Sequence, residues 1–405
     1  MTLVELVPDQ NRFTADPHSR YAELRAQGGI HHVLLPSKEA AWLVTDARAV
    51  RAALADERLR NDVRHSASWT HDGGYAIGRN LLQVDPPDHT RLRRLVAREF
   101  TRHRVQAMRG RVQEMADGLV DALAPAGEAD LFDAYAFPLP VTVICELLGV
   151  PDADRAPFRA WSAEIVAATS HEAASAAGLA MTAYLTDLIE AKRALPSPAE
   201  TEAAGSARGD LLHALAHAAG AEEEPLTAPE LLGMAFLLLV AGHETTANLI
   251  SSAVNLLLRN PAQLAALRAD WTLLEGTVEE AMRYEPPALA AAYRYPVTDV
   301  TIAGTTVPKG EPVVLSLAAA NRDPAVFADP DRFDIHRDPA TTRTHLSFGH
   351  GIHHCLGAPL ARMESAIALR TLLERLPGLA LADPSAPPAW RPSLLRGLDR
   401  LEVTW

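Results

Sequence analysis

Cys355 is one of only two cysteines in the 405-residue chain, and it lies in LSFGHGIHHCLGAPL (346–360), behind His350, His353 and His354 and ahead of a helical pattern. A thiolate in such a loop could ligate a metal or attack a substrate. A structural zinc site takes about four Cys or His ligands, and no second cluster supplies the remainder. Iron–sulfur clusters want about four thiolates. The Cys-x-x-Cys-His spacing of covalent haem attachment is absent, and FGHG lacks the Lys-Ser/Thr of a phosphate loop. Two chemistries stay open: Cys–His nucleophilic catalysis, and service as the single axial thiolate of a haem iron, to which a loop-to-helix junction is suited. Glycines here permit a loop whose amides point at the sulfur and whose backbone lies close to a flat ring.

A second cluster interrupts an apolar run. Leu231–Ala241, LLGMAFLLLVA, leads into Ala241-Gly242-His243-Glu244-Thr245-Thr246. Gly242 costs about 1 kcal/mol of helix propensity, and Glu244 with Thr245 puts polar groups into a core helix. Thr245 could bond back to a carbonyl one turn earlier and bend the helix for packing alone. Equally, a small residue beside an acid and a hydroxyl leaves room for a flat ligand and a small molecule, with a proton route at hand. Haem would also bring propionates that a buried site must match with cations. His89 and Arg93 stand i and i+4 on one helix face, Arg294 precedes a strand region, and His353 lies two residues before Cys355.

Helix periodicity positions these groups. It predicts helices over 17–27, 46–58, 88–122, 138–148, 155–193, 209–220, 227–259, 261–285 and 357–375, and strands near 30–45, 297–317 and the C-terminus. The strands are too scattered for regular αβ alternation, so the class is mainly α with small β-sheets. Thr227-x-x-Glu230 is a capping box, with Pro229 in the first turn and Asn260-Pro261 at the far end. The stretch 194–210 reads as a surface loop between helices. With no long linker or repeat, one domain over 1–405 is expected. Net charge is −13, which argues against nucleic acid and anionic membrane as partners. Eight arginines between Arg91 and Arg111 dissent from that balance. The N-terminus lacks the basic start and apolar stretch of a signal peptide, so the cytoplasm is expected. The longest apolar run is shorter than the roughly 18 residues of a membrane span.

The chain resembles a cytochrome P450 of the soluble bacterial type along essentially its whole length. Phe348-x-x-Gly351-x-His353-x-Cys355-x-Gly357 matches that family's haem loop, and Ala241–Thr246 its oxygen-activation motif. Glu280-x-x-Arg283 matches the helical Glu/Arg pair, and Pro330-Asp331-Arg332-Phe333 the segment expected to complete that network with a second arginine. The stretch 85–96, DPPDHTRLRRLV, resembles the helix whose His and Arg bind a propionate. By spacing alone Glu279 is an equal partner for Arg283, and only the family pattern favours Glu280.

The resemblance implies a triangular prism-like single domain with a long central helix over haem b. It makes Cys355 the iron ligand, with His89, Arg93, Arg294, His353, Phe348, Gly349, Gly351 and Gly357 around the cofactor. Ala241 and Gly242 would leave space over the ring, Thr245 would hold dioxygen and water, and Glu244 would link the site to bulk protons. Electrons would come from NAD(P)H through a flavoprotein reductase and a ferredoxin, the latter docking on the arginine-rich segment. Leu82, Leu238, Ala241, Leu289, Ala290, Leu394 and Leu395 would line a pocket for a bulky alicyclic guest such as a macrolide, another polyketide, a terpenoid or a sterol. A monomer is expected. A peroxide-driven enzyme or a haem-thiolate sensor would not need Glu244 and Thr245. Cys145, in an apolar stretch, reads as a small core residue.

Overall fold

Thr227 and Glu230 bond reciprocally in the computed structural model. The Glu230 amide donates to Thr227 Oγ1 at 3.4 Å, and the Glu230 carboxylate accepts from the Thr227 amide at 2.9 Å. From that cap the helix Ala228–Arg259 runs 32 residues, roughly 48 Å at 1.5 Å per residue. By length and composition this helix could cross a membrane, but 61% of its most apolar window is buried in protein, as in a core helix. It packs most extensively on Pro138–Leu148, and also on Ala358–Arg375, His171–Arg193 and Leu274–Tyr284. The structure describes residues 3–70, 79–98, 100–166, 170–198, 210–218, 224–393 and 395–405; most of the expected 194–210 loop lies outside them.

Three expected helices divide, and every break but the one at Met108 falls at a residue whose side chain caps the next helical segment. The 88–122 pattern becomes Asp88–Ala97, Arg102–Ala107 and Arg109–Leu123, where Thr101 Oγ1 accepts the Arg104 amide. The 155–193 pattern becomes Arg155–Val166 and His171–Arg193, capped by Ser170 on the Ala173 amide. Asp270 likewise separates Pro261–Ala269 from Leu274–Tyr284. Side-chain caps compete with helix continuation, so periodicity that runs through a cap overstates helix length.

The sheets are small, as expected. Strands Val4–Glu5, Ile30–Leu34, Ala40–Val44 and Val313–Leu315 form one sheet in that spatial order, and Ala380–Leu381, Glu402–Thr404 and Glu128–Asp130 form another. Two-stranded pairs join Leu59–Arg60 to Tyr295–Pro296 and Val300–Ile302 to Thr305–Val307. The fold is mainly α. Cys145 is fully buried, and burial pushes its thiol up to about 11.

Candidate functional site

The cysteine loop turns on Gly349 and Gly351, whose φ values of 71° and 73° lie in the left-handed region that a side chain penalises. Gly351 also sits against the chain at Leu54, where a Cβ would stand 2.9 Å from the Leu54 carbonyl oxygen. The Cys355 amide donates to the Phe348 carbonyl at 2.9 Å, and helix Ala358–Arg375 starts three residues later. Cys355 is accessible although densely surrounded by protein. Burial pushes its thiol up, opposed by hydrogen bonds from the Gly357 and Ala358 amides and by the charges of Arg93 and Arg362. Amides aimed at sulfur favour the thiolate.

Behind the loop stands a buried ion pair. Arg283 Nε donates to Glu280 Oε2 at 2.7 Å and Nη2 to Oε1 at 2.8 Å. The rest of the guanidinium serves the carbonyls of Asn321, Pro330 and Arg332. Asn321 in turn accepts the Leu346 amide at 2.7 Å and donates to Ser347 Oγ at 2.7 Å, so the pair anchors the start of the cysteine loop. Two details differ from the sequence reading. The second arginine on Glu280 is Arg337, through Nε at 3.2 Å; Arg332 turns outward and lends only its carbonyl. Glu279, the rival partner by spacing, instead binds His345 Nε2 at 2.9 Å and Arg362 Nε at 2.5 Å. Arg362 lies 4.4 Å over the Phe348 ring.

Four cation-forming side chains gather beside Cys355. The rings of His89 and His353 are 4.3 Å apart, and each has its Nε2 buried without a hydrogen-bond partner. Arg294 is 2% exposed, and its Nη1 donates to the Ala292 carbonyl at 2.9 Å. Arg93 Nη2 reaches the His354 carbonyl at 2.6 Å. Burial first, then the neighbouring Arg294, His89 and Arg93 charges, hold His353 down at about 3; burial and Arg93 hold His89 at about 4. Burial lowers Arg294 to about 10. Two guanidiniums beside two neutral imidazoles that can donate hydrogen bonds favour an anion.

On the long helix, Thr245 Oγ1 donates to the Ala241 carbonyl at 3.0 Å, and Ala241 is exposed although the residues around it are mostly buried. Glu244 is fully buried, neither carboxylate oxygen has a hydrogen-bond partner, and burial pushes its pKa up. Gly242 behaves differently from the expectation of space over a ring. A Cβ there would stand 2.9 Å from Ile144 Cδ1, so its missing side chain admits the neighbouring helix.

The chain matches the family model "Cytochrome P450" over residues 162–378. It is 50% identical over 396 residues to the cytochrome P450 monooxygenase PikC of Streptomyces venezuelae, covering 97% of this chain and 92% of that one. The chain belongs to the cytochrome P450 family. Similarity extends to the mycinamicin IV hydroxylase/epoxidase of Micromonospora griseorubida, 42% identical with 95% of each chain covered. The tirandamycin C-bound P450 monooxygenase TamI superposes with a TM-score of 0.87 at 42% identity, covering 99% of both chains. The protein is therefore a P450 monooxygenase, and the family implies a thiolate-ligated haem. The residues fit one: an accessible sulfur that accepts amide hydrogen bonds, unpartnered ring nitrogens on His89 and His353, a buried Arg294, and an exposed alanine midway along a core helix.

The residues expected to line a pocket in this P450 are scattered over several elements. Leu82 is 47% exposed. Leu238 is half-buried on the long helix, one turn before Ala241 and Gly242. Leu289 and Ala290 are half-buried against the core beneath the four-stranded sheet, and Leu395 bridges Ala288. Leu394 lies outside the described residues. The arginine-rich segment is partly consumed by internal pairing: Arg91 binds Glu230, Arg93 the His354 carbonyl, and Arg111 both Glu114 and Glu146. Arg102 is exposed. Sequence reasoning missed Asn321, Arg337, His345 and Arg362, which bear on the loop from behind; no local motif marks them.

Proposed function

We propose that this P450 hydroxylates or epoxidises a bulky alicyclic guest, a macrolide or another polyketide ahead of a terpenoid or sterol. Dioxygen is the oxidant, and electrons pass from NAD(P)H through a flavoprotein reductase and a ferredoxin. The observation that carries the substrate class is the 42% identity, over 95% of both chains, to an enzyme named for mycinamicin IV hydroxylation and epoxidation. A neighbour solved with tirandamycin C bound supports it. We also infer a cytoplasmic, monomeric, single-domain enzyme. The pairing of N-terminal strand Val4–Glu5 into the same sheet as Val313–Leu315 supports the last point.

When bound, a thiolate-ligated haem supplies dioxygen activation. This chain's part is to hold it and feed it protons. Cys355 would ligate the iron, with the Gly357 and Ala358 amides moderating the sulfur's charge. His89, Arg93, Arg294 and His353 would take the propionates, the two arginines as cations and the two imidazoles as hydrogen-bond donors. The Thr245 proton is committed to the Ala241 carbonyl, so its oxygen remains as an acceptor that orients a donor over the ring. The proton comes from Glu244, whose raised pKa keeps a carboxyl proton available closer to neutral pH. Ferredoxin would dock near Arg102.

Titrating the ferric protein with macrolides, other polyketides, terpenes and sterols tests the substrate class. A saturable blue shift of the Soret band is expected with a macrolide or polyketide. No shift with any alicyclic scaffold would refute the reading.

A further inference from the structure

His243 separates the apolar run from Glu244, and its hydrogen bonds fix its protonation. Nδ1 lies 2.7 Å from the Leu239 carbonyl, which can only accept, so Nδ1 carries the proton. Nε2 then presents its single lone pair to the Ser162 hydroxyl at 2.9 Å. Both residues are fully buried, and burial holds the imidazole at about 4, hence neutral. Phe137 and Phe158 meet the ring edge-on at 5.4 and 6.3 Å and restrain its rotation. Glu244 Oε1 lies 3.9 Å from the same Nε2. With both oxygens unpartnered and its pKa raised, Glu244 in its protonated form has an O–H in need of an acceptor.

We propose that Ser162 and Glu244 compete for the one lone pair of His243 Nε2, making His243 a positioning residue that couples helix Arg155–Val166 to the acid beside Thr245. While Ser162 holds the lone pair, the Glu244 carboxyl is free to turn toward Thr245. When the helix carrying Ser162 draws back, Nε2 accepts the Glu244 O–H and the acid is held away from the site. The position of the helix carrying Ser162 would then set the proton supply. The consequence for turnover rests on the reading of Glu244 as the proton source; the competition itself does not.

Infrared difference spectroscopy on the holoenzyme reads it directly. The Glu244 carboxyl C=O band is identified by its loss in Glu244→Gln. Ser162→Ala is expected to shift that band to lower frequency, because the carboxyl gains a hydrogen bond. Ser162→Thr, which keeps the hydroxyl, should show the wild-type band, and Ser162→Ala/His243→Phe should return it, since phenylalanine offers no lone pair. Peroxide released per NAD(P)H should rise several-fold in Ser162→Ala and fall back in the double variant. An unmoved band in Ser162→Ala, or an equal shift in the double variant, overturns the competition. Bands that move as expected support it, and if peroxide release then stays flat, the proton-source reading of Glu244 fails instead.

Discussion

Replacing Arg337 and Arg332 separately by alanine tests which arginine completes the Glu280 network. Arg337 is 11% exposed; it gives Nε to Glu280 and donates to the carbonyls of Ala328, Asp329 and Arg332. Its loss removes four bonds from an ionised guanidinium; the three carbonyls lie at exposed positions where water can replace it, so the bond to Glu280, worth about 1.5–3 kcal/mol, dominates. Glu280 would still hold Arg283 and the Asp334 amide, so the acid is not stranded. The expected destabilisation is about 2–3 kcal/mol. Arg332 is 67% exposed and stands 3.7 Å from Asp334, so an exposed pair worth about 0.5 kcal/mol is lost, while its backbone carbonyl still serves Arg283. Arg283→Ala should exceed both, at about 3–5 kcal/mol, because it breaks a buried pair and leaves carbonyls without donors. With about 2.1 cal/mol/K of unfolding entropy per residue over 405 residues, 2–3 kcal/mol lowers Tm by roughly 2–4 °C. Parallel urea and thermal denaturation followed by circular dichroism should rank the losses Arg283, Arg337, Arg332. An Arg332→Ala variant as unstable as Arg337→Ala would refute the assignment.

Gly351→Ala should cost at least about 2 kcal/mol, since it combines a left-handed φ with an approach to the Leu54 carbonyl; denaturation and haem retention would report it, and a neutral result would contradict the loop geometry. Acid sensitivity should begin early. His243 is held at about 4 when folded against 6.5 unfolded, so the unfolded chain binds a proton that the fold refuses and stability falls as pH drops from about 6.5 toward 4. His243→Phe should flatten that slope. Glu279, held at about 2 by His345 and Arg362 against the cost of burial, adds a further loss below about 4.5. Arg102→Glu should slow ferredoxin-supported turnover and leave peroxide-supported turnover intact; equal loss in both would exclude docking there.

Much of the fold and site was legible because the informative residues carry local signals. Thr227 and Glu230 announce a helix start through capping chemistry, and the spacing of Phe348, Gly351, His353, Cys355 and Gly357 fixes the loop. What stayed hidden depends on which distant groups meet. Glu279 and Glu280 both reach Arg283 by spacing, and only the positions of Arg362 and Arg337, on other segments, divide them. Gly242 looked like room for a ligand, yet Ile144 on another helix occupies that direction. Ser162 is an ordinary helical serine until His243 is set beside it. The helix breaks at Thr101, Ser170 and Asp270 were readable as caps and were overridden by periodicity.

Proton delivery by Glu244 and Thr245 to a dioxygen-dependent site is tested by Thr245→Ala, measuring product and hydrogen peroxide formed per NAD(P)H consumed with saturating substrate and ferredoxin. Continued NAD(P)H oxidation is predicted, with product largely replaced by peroxide. Coupling equal to the wild type would contradict proton delivery by this pair.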